Sequence, residues 1–239
     1  MKSIGIICLL LFLVYQYYRS KYKLQCSKYM IRTQKVQEKI RIVHLTDLHS
    51  NRFGKDNEKL VNMIREQSPD LVCCTGDMLN ASGSSEVFLN LVRKLSEEFP
   101  VYISMGNHEI AFEEKHGQDL NDSIHKAGGI VLDFDYKDIS IKGTKIRIGG
   151  CYGYGFPGNC DIMPEDEGER KFLERFQKTE DCKILLSHAP YGWYRMDSLD
   201  YWDVDLVLAG HTHGGQIRLP FIGGLYAPDI GLLPGREKG

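Results

Sequence analysis

Five of the chain's eight histidines fall in short polar motifs that each follow an apolar run, a concentration that scattered surface histidines would not produce. The motifs are Asp47-Leu48-His49, Gly76-Asp77, Gly106-Asn107-His108-Glu109, His188-Ala189-Pro190 and Gly210-His211-Thr212-His213. Singly, each has a bland reading as a turn aspartate or a solvated loop. Together they supply imidazoles, carboxylates and one amide oxygen, a borderline-hard donor set that suits Mn, Fe, Zn, Co or Ni better than calcium. Asp77 stands centrally in the order, and a carboxylate with two oxygens can bridge two ions. Ions held ~3.5–4 Å apart clamp the attacking and leaving oxygens of an in-line displacement at phosphorus.

Such a site needs elements that deliver all five motifs to one place. Residues 40–45 read as a strand, 57–67 as a helix with Leu60, Val61 and Ile64 at helical spacing, and 70–75 as a fully apolar strand. An amphipathic helix over 84–99 and a strand over 101–104 follow. This β-α-β-α-β order implies a parallel sheet covered by helices. Further on, the pattern predicts a helix at 118–126, a hairpin over 139–148 turning near Lys142-Gly143, a long loop at 151–164 and a helix at 165–179. Apolar strands at 182–187 and 205–209 come next, and 217–219 could begin another. Each motif then lies at the C-terminal end of a strand, where open α/β sheets place their ligand sites.

In this order the motifs resemble the calcineurin-like metallophosphoesterase superfamily, whose pattern is D-x-H, G-D, G-N-H-E/D, H and G-H-x-H, over residues 40 to 230. The stretches HLTDLHSNRFG, PDLVCCTGDM and GHTHGGQIRLP look like its membrane-associated bacterial branch, which includes enzymes similar to UDP-2,3-diacylglucosamine pyrophosphatase. The resemblance implies an α/β fold, a two-sheet sandwich flanked by helices. It implies two divalent ions, one held by Asp47, His49, Asp77 and His213, the other by Asp77, Asn107, His188 and His211. A hydroxide bridging them would attack a phosphodiester or pyrophosphate, with His108 contacting the phosphate and protonating the leaving group. Glu109 would orient a ligand. The alternative is a non-catalytic metal-binding scaffold or regulator on the same fold. Such descendants usually lose ligands, and none is missing here. Family members continue with further strands beyond the position of Pro228, so the domain at 40–239 is expected to be incomplete at its C-terminus.

Other residues carry weaker signals. Arg52 is as good a phosphate contact as a surface arginine. Tyr152, Tyr154 and Phe156 lean toward lining a pocket. His44 reads as a packed strand histidine, His116 and His125 as surface groups, and Trp193 and Tyr194 as core. Lys and Arg number 30 against 32 Asp and Glu, so no basic excess points to a nucleic-acid-binding surface. The seven cysteines show no metal-binding spacing and are expected to be mostly buried, reduced thiols.

The N-terminus differs in kind. Residues 4–18 are apolar or aromatic apart from Gly5 and Gln16, and no small-x-small cleavage site follows. The expectation is a membrane anchor helix at 1–18 and a basic juxtamembrane linker at 19–39. The chain would then sit in the cell membrane as a single-pass protein acting on a small phosphorylated substrate, lipid-linked in keeping with the anchor. Basic residues from Arg19 to Lys35 would hold the domain in the cytoplasm.

Overall fold

Alternating apolar strands and amphipathic helices build the first half of the molecule. The computed structural model describes residues 2–153, 167–196, 198–215, 218–219, 223–227 and 231–235. After helix α1 (Lys2–Tyr22) come β1 (Ile42–Leu45), α2 (Glu58–Gln67), β2 (Leu71–Thr75), α3 (Glu86–Ser96), β3 (Val101–Ser104), α4 (Asn107–His116), α5 (Leu120–Lys126) and β4 (Ile130–Val131). The second half contains β5 (Asp135–Ile141), β6 (Thr144–Cys151), α6 (Glu167–Phe176), β7 (Cys182–Ser187), α7 (Tyr191–Arg195), α8 (Ser198–Tyr201) and β8 (Leu206–Leu208). Three short strands follow: β9 (Arg218–Leu219), β10 (Gly223–Ala227) and β11 (Gly231–Gly235).

The strands form two four-stranded sheets, β1-β2-β3-β4 and β5-β6-β7-β8, with a separate three-stranded sheet β11-β10-β9. The first is wholly parallel. In the second, β5 and β6 form the antiparallel hairpin, turning at Lys142 and Gly143, both with positive φ, and β6, β7 and β8 run parallel. Strand periodicity sorts the core. Val72, Cys74, Val101 and Ile103 pack under α2 and α3 with Leu60, Ile64, Phe88 and Val92. Leu71, Cys73 and Tyr102 face the other way, onto Ile148 and Leu186 of the second sheet. Phe172, Phe176, Trp193 and Trp202 close the outer face of that sheet. The result is the expected α/β sandwich of two sheets between helices.

Two expectations are adjusted. No helix was expected at Asn107–His116, because Asn107, His108 and Glu109 read as a polar site; they form the first turn of α4. The strand expected at 205–209 is present as β8, the half-buried edge of its sheet. The membrane-spanning helix is not found: among the described residues no helix is long and apolar enough to cross a membrane. The apolar part is what falls short: the fifteen-residue run rises about 22 Å, against a hydrocarbon core of about 30 Å, and the rest of the 21-residue α1 is mainly polar or basic.

Candidate metal centre

The parallel strands of both sheets end at the same rim. Asp47 follows β1, Asp77 follows β2, Asn107 starts the helix after β3, His188 follows β7 and His211 lies beyond β8. Hydrogen bonds sew the turns together: Asp47 N–H to the Gly76 carbonyl, His49 N–H to the Asp77 carbonyl and Gly210 N–H to the His188 carbonyl. Asp47, His49, Asp77, His211 and His213 all have φ between 46° and 68°. Left-handed backbone is uncommon for such residues and clusters at sites whose surroundings enforce it. Gly76 has φ 83°, and a Cβ there would strike the Gly106 backbone and the His188 ring. At Gly210 a Cβ would overlap the Thr46 hydroxyl and the Asp47 carboxylate. Only glycine lets these turns approach so closely.

The motif side chains fall into groups that meet at Asp77. Asp47, His49 and His213 each present one donor atom, all within 4.8 Å of one another, and so do Asp77, His188 and His211. His49 Nε2 lies 3.3 Å from His213 Nε2, and His213 Nε2 lies 3.7 Å from Asp47 Oδ1. In the inner group, His188 Nε2 lies 3.2 Å from His211 Nδ1, 3.2 Å from Asn107 Oδ1 and 3.4 Å from Asp77 Oδ2. Asp77 Oδ2 is also 3.8 Å from His49 Nε2, so one oxygen faces both groups. Its partner Oδ1 accepts the His108 N–H at 2.9 Å, which fixes the carboxylate's rotation.

These donors fit divalent cations. His188 Nδ1 lies 2.7 Å from the Thr75 carbonyl, which can only accept, so Nδ1 carries a proton. In the neutral ring Nε2 then offers a bare lone pair toward a carboxylate, an amide oxygen and another imidazole. Bringing these acceptors together is unfavourable unless a cation joins them. Two nitrogens on one tetrahedral ion, with bonds of ~2.0–2.1 Å, stand about 3.3 Å apart, close to the spacings seen. The electrostatics agree. Burial pulls the His188 pKa down, but the Asp77 carboxylate and Thr75 carbonyl overcome it and leave it raised. Burial pushes Asp77 up, but His188 and the His108 N–H hold it below the usual carboxylate range. His49 is lowered, chiefly by burial, with His213 and His108 adding to the effect against Asp77.

A ring of supporting groups completes the site. The buried Glu109 carboxylate accepts four backbone N–H groups, from Asp77 at 2.7 Å, Met78 at 2.8 Å, Leu79 at 3.2 Å and Gly106 at 2.9 Å. It ties the Gly76-Asp77 turn to the start of α4, so the sequence reading of Glu109 as an orienting group gains a definite form. Burial and the nearby Asp77 raise its pKa, while the backbone donors hold it down. His108 Nδ1 accepts the Ala81 N–H at 3.3 Å, which leaves the proton of the neutral ring on Nε2, 4.0 Å from Asp77 Oδ2. Two supporting residues escaped the sequence reading. The Thr46 hydroxyl donates to Asp47 Oδ2 at 2.7 Å, and the Asn80 amide donates to the His49 carbonyl at 2.8 Å. Thr46 directly precedes a motif aspartate, which is a usable signal. Asn80 carries none, because its partner is a backbone carbonyl in another turn.

The weaker candidates also find places. Tyr152 stacks beside His188 with ring centroids 6.1 Å apart, in keeping with a pocket-lining role. Tyr154 and Phe156 lie outside the described residues, and Arg52 is exposed on the loop after His49. His44 packs within the sheet with Nε2 2.7 Å from Thr75 Oγ1, and burial lowers its pKa to about 4. His116 and His125 are on the surface, and Trp193 is buried with its N–H on Ser187 Oγ. Tyr194's side chain lies outside the described residues. Cys73, Cys74, Cys151 and Cys182 are buried free thiols, whereas Cys26 is an exposed one.

Comparison with known proteins places this geometry. Residues 40–215 match the family model described as calcineurin-like phosphoesterase. Metallophosphoesterase YkuE of Bacillus subtilis (strain 168), itself uncharacterized, is 32% identical over 203 residues, 81% of this chain and 65% of its own length. YkoQ of the same organism, also an uncharacterized metallophosphoesterase, is 27% identical over 77% of this chain and 64% of its own length. Phosphodiesterase YaeI of Escherichia coli (strain K12) is 28% identical over 79% of this chain and 66% of its own length. The chain thus spans just under two thirds of the length of these curated relatives. The protein TT1561 of Thermus thermophilus shares the fold, with a TM-score of 0.50, 14% identity, and coverage of 72% of this chain and 81% of that one. The five motifs, their convergence at one rim and the family match over 40–215 together establish that this chain belongs to the calcineurin-like phosphoesterase family.

Proposed function

We propose that the chain is a metal-dependent hydrolase of a phosphodiester or pyrophosphate bond, working at two adjacent divalent cations. The observation that carries this reading is the pair of donor groups that meet at Asp77 Oδ2. One cation is assigned to Asp47, His49, Asp77 and His213, the other to Asp77, Asn107, His188 and His211. The donor chemistry suits Mn, Fe, Zn, Co or Ni. When bound, two such ions lower the pKa of an attacking water and neutralise charge on the phosphoryl oxygens.

The protein's own groups do the rest. Thr46 and the His211 N–H hold the Asp47 carboxylate, and Glu109 holds the turn that presents Asp77. His108 also lies near His49 and Asp77, close enough to be counted as a further donor. It is assigned the leaving group instead, because Ala81 occupies Nδ1 and keeps a proton on the Nε2 that faces the site. From there the Nε2–H donates a hydrogen bond to the departing oxygen, and full transfer of the proton requires the ring to enter as the imidazolium, with Nδ1 released from the Ala81 N–H. A diester accords with the name of the relative YaeI, a phosphodiesterase. A nucleotide- or lipid-linked example is what the resemblance of the motifs implies.

The test is a substrate panel on protein loaded separately with Mn, Fe, Zn, Co or Ni. It should compare bis-p-nitrophenyl phosphate, p-nitrophenyl phosphate and a nucleotide-linked pyrophosphate. Diester or pyrophosphate cleavage that disappears on chelation supports the reading. No cleavage of any ester with any of these metals sinks it.

A further inference from the structure

Helix α4 carries three rings on one stripe. His108, Phe112 and His116 are spaced four residues apart, so they line the same face of the helix. That face lies against the loop that follows Asp77. Phe112 is buried in the cluster that holds Met78 and Leu79. The two histidines, one at each end of the stripe, both reach Ala81. The Ala81 N–H donates to His108 Nδ1 at 3.3 Å, and His116 Nε2 lies 3.3 Å from the Ala81 carbonyl. A carbonyl can only accept, so His116 Nε2 carries a proton. Ala81 thus receives a hydrogen bond from the far histidine and gives one to the histidine at the metal centre.

The His116 ring is held for this. It packs on Phe112 with centroids 4.4 Å apart. Helix α4 ends directly after it at Gly117, whose φ of 61° turns the chain while its N–H closes onto the Glu113 carbonyl. The other side of the loop is tied down independently. The Asn80 N–H donates to Ser50 Oγ at 3.2 Å, and the Asn80 side-chain amide donates to the His49 carbonyl at 2.8 Å. Those bonds fix where the loop sits. The His116 bond fixes how Ala81 is turned, and with it the direction of the N–H that meets His108. Direction matters because the hydrogen bond at one imidazole nitrogen decides which nitrogen carries the proton. With Nδ1 occupied, the Nε2–H of His108 faces Asp77 and His49, whose ring stands edge-on at 4.6 Å between centroids. In the opposite tautomer a bare Nε2 would be one more donor beside His49 and Asp77.

We propose that His116 is a positioning residue for His108: through Ala81 it keeps the Nε2–H of His108 turned to the metal centre, so that this ring serves the leaving group as a hydrogen-bond donor and stays out of the metal's ligand set. The orienting half stands on the bonds at Ala81 alone, whereas the leaving-group half rests on the phosphoesterase reading above.

The experiment compares the full chain with His116→Leu, which removes the N–H, and His116→Gln, which keeps one at a similar reach. Proton–nitrogen correlation spectra of the imidazole rings tell a protonated nitrogen from a bare one. They are recorded on metal-free protein at alkaline pH, where free imidazole is neutral. His108 should show a bare Nδ1 and a protonated Nε2 in the parent and in the Gln variant, and a mixture of tautomers in the Leu variant. Turnover and metal content are then measured on the loaded proteins, with bis-p-nitrophenyl phosphate and with a diester whose leaving group is an alkoxide. His116→Leu should keep its metal and lose roughly tenfold on the alkyl diester, a part of the ~10²–10⁴ that acid help supplies. Its loss on the nitrophenyl diester should be far smaller, and His116→Gln should recover the alkyl rate. A single His108 tautomer shared by all three proteins, a Gln variant that behaves like the Leu variant, or equal losses on the two diesters would each overturn the assignment. If the parent cleaves neither diester, the leaving-group half falls together with the hydrolase reading, and the ring spectra still decide whether His116 orients His108.

Discussion

The two halves of the metal centre are built from the same residue types but held differently. In the inner half, His188 is fully buried and its Nδ1 is locked on the Thr75 carbonyl, so Nε2 is aimed before any ion arrives. In the outer half, the His49 and His213 side chains are 24% and 29% exposed, and their rings stack with centroids 5.0 Å apart. Asp77, buried between them, belongs to both. The difference predicts that metal affinity in the proposed centre follows how the imidazoles are supported as much as how many there are. The inner position is preorganised and should bind tightly and exchange slowly. The outer position should fill second and empty first.

The largest effect should come from Asp77→Asn. Both halves depend on this carboxylate, so the variant should lose more than the roughly 10–100-fold in affinity or activity that an outer partner is worth. Metal analysis and turnover on one preparation check this. A variant with two bound ions and normal turnover would remove Asp77 from the centre of the account.

His108→Ala should come next, with both ions kept and a rate loss of ~10²–10⁴, the usual value of acid help. An alkyl ester, which leaves as a basic alkoxide, should suffer far more than a nitrophenyl ester. Equal losses would make His108 a phosphate contact, and a missing ion would make it a ligand.

The comparison itself is tested by pairing His188→Ala with His213→Ala. The outer variant should retain one tightly held ion and recover activity as free metal is raised. The inner variant should not recover at concentrations that rescue the outer one. If both respond alike in a metal titration of activity, the two halves are equivalent and the contrast fails. The smallest effect belongs to Thr46→Val, which removes one hydrogen bond to Asp47. Outer-half affinity should fall by no more than about 10–100-fold, with the inner ion unaffected.

Much of this was readable from sequence, for a physical reason. Parallel strands announce themselves as apolar runs, and their C-terminal ends predict where polar motifs must gather. The sandwich, the hairpin at Lys142-Gly143 and the grouping of Asp47, Asp77, Asn107, His188 and His211 all follow from that. The grouping's hidden parts depend on backbone geometry that residue types do not display. Neither the left-handed turns at Asp47, His49, Asp77, His211 and His213 nor the Thr75 carbonyl that orients His188 leaves a mark in the pattern. The helix over Asn107–His116 was obscured because its first turn is also the site. For α1 the apolar composition was plain, but among the described residues no helix is long and apolar enough to cross a membrane.

The central claim is that Asp77 serves both halves of the proposed centre, and manganese reports on this directly. Mn(II) should be titrated into metal-free protein, following the electron paramagnetic resonance spectrum and the bound stoichiometry together. The account predicts two equivalents per chain, an early isolated signal from the inner ion, and an exchange-coupled spectrum as the outer one fills. A single equivalent, or two ions whose six-line signals stay uncoupled at saturation, would contradict it.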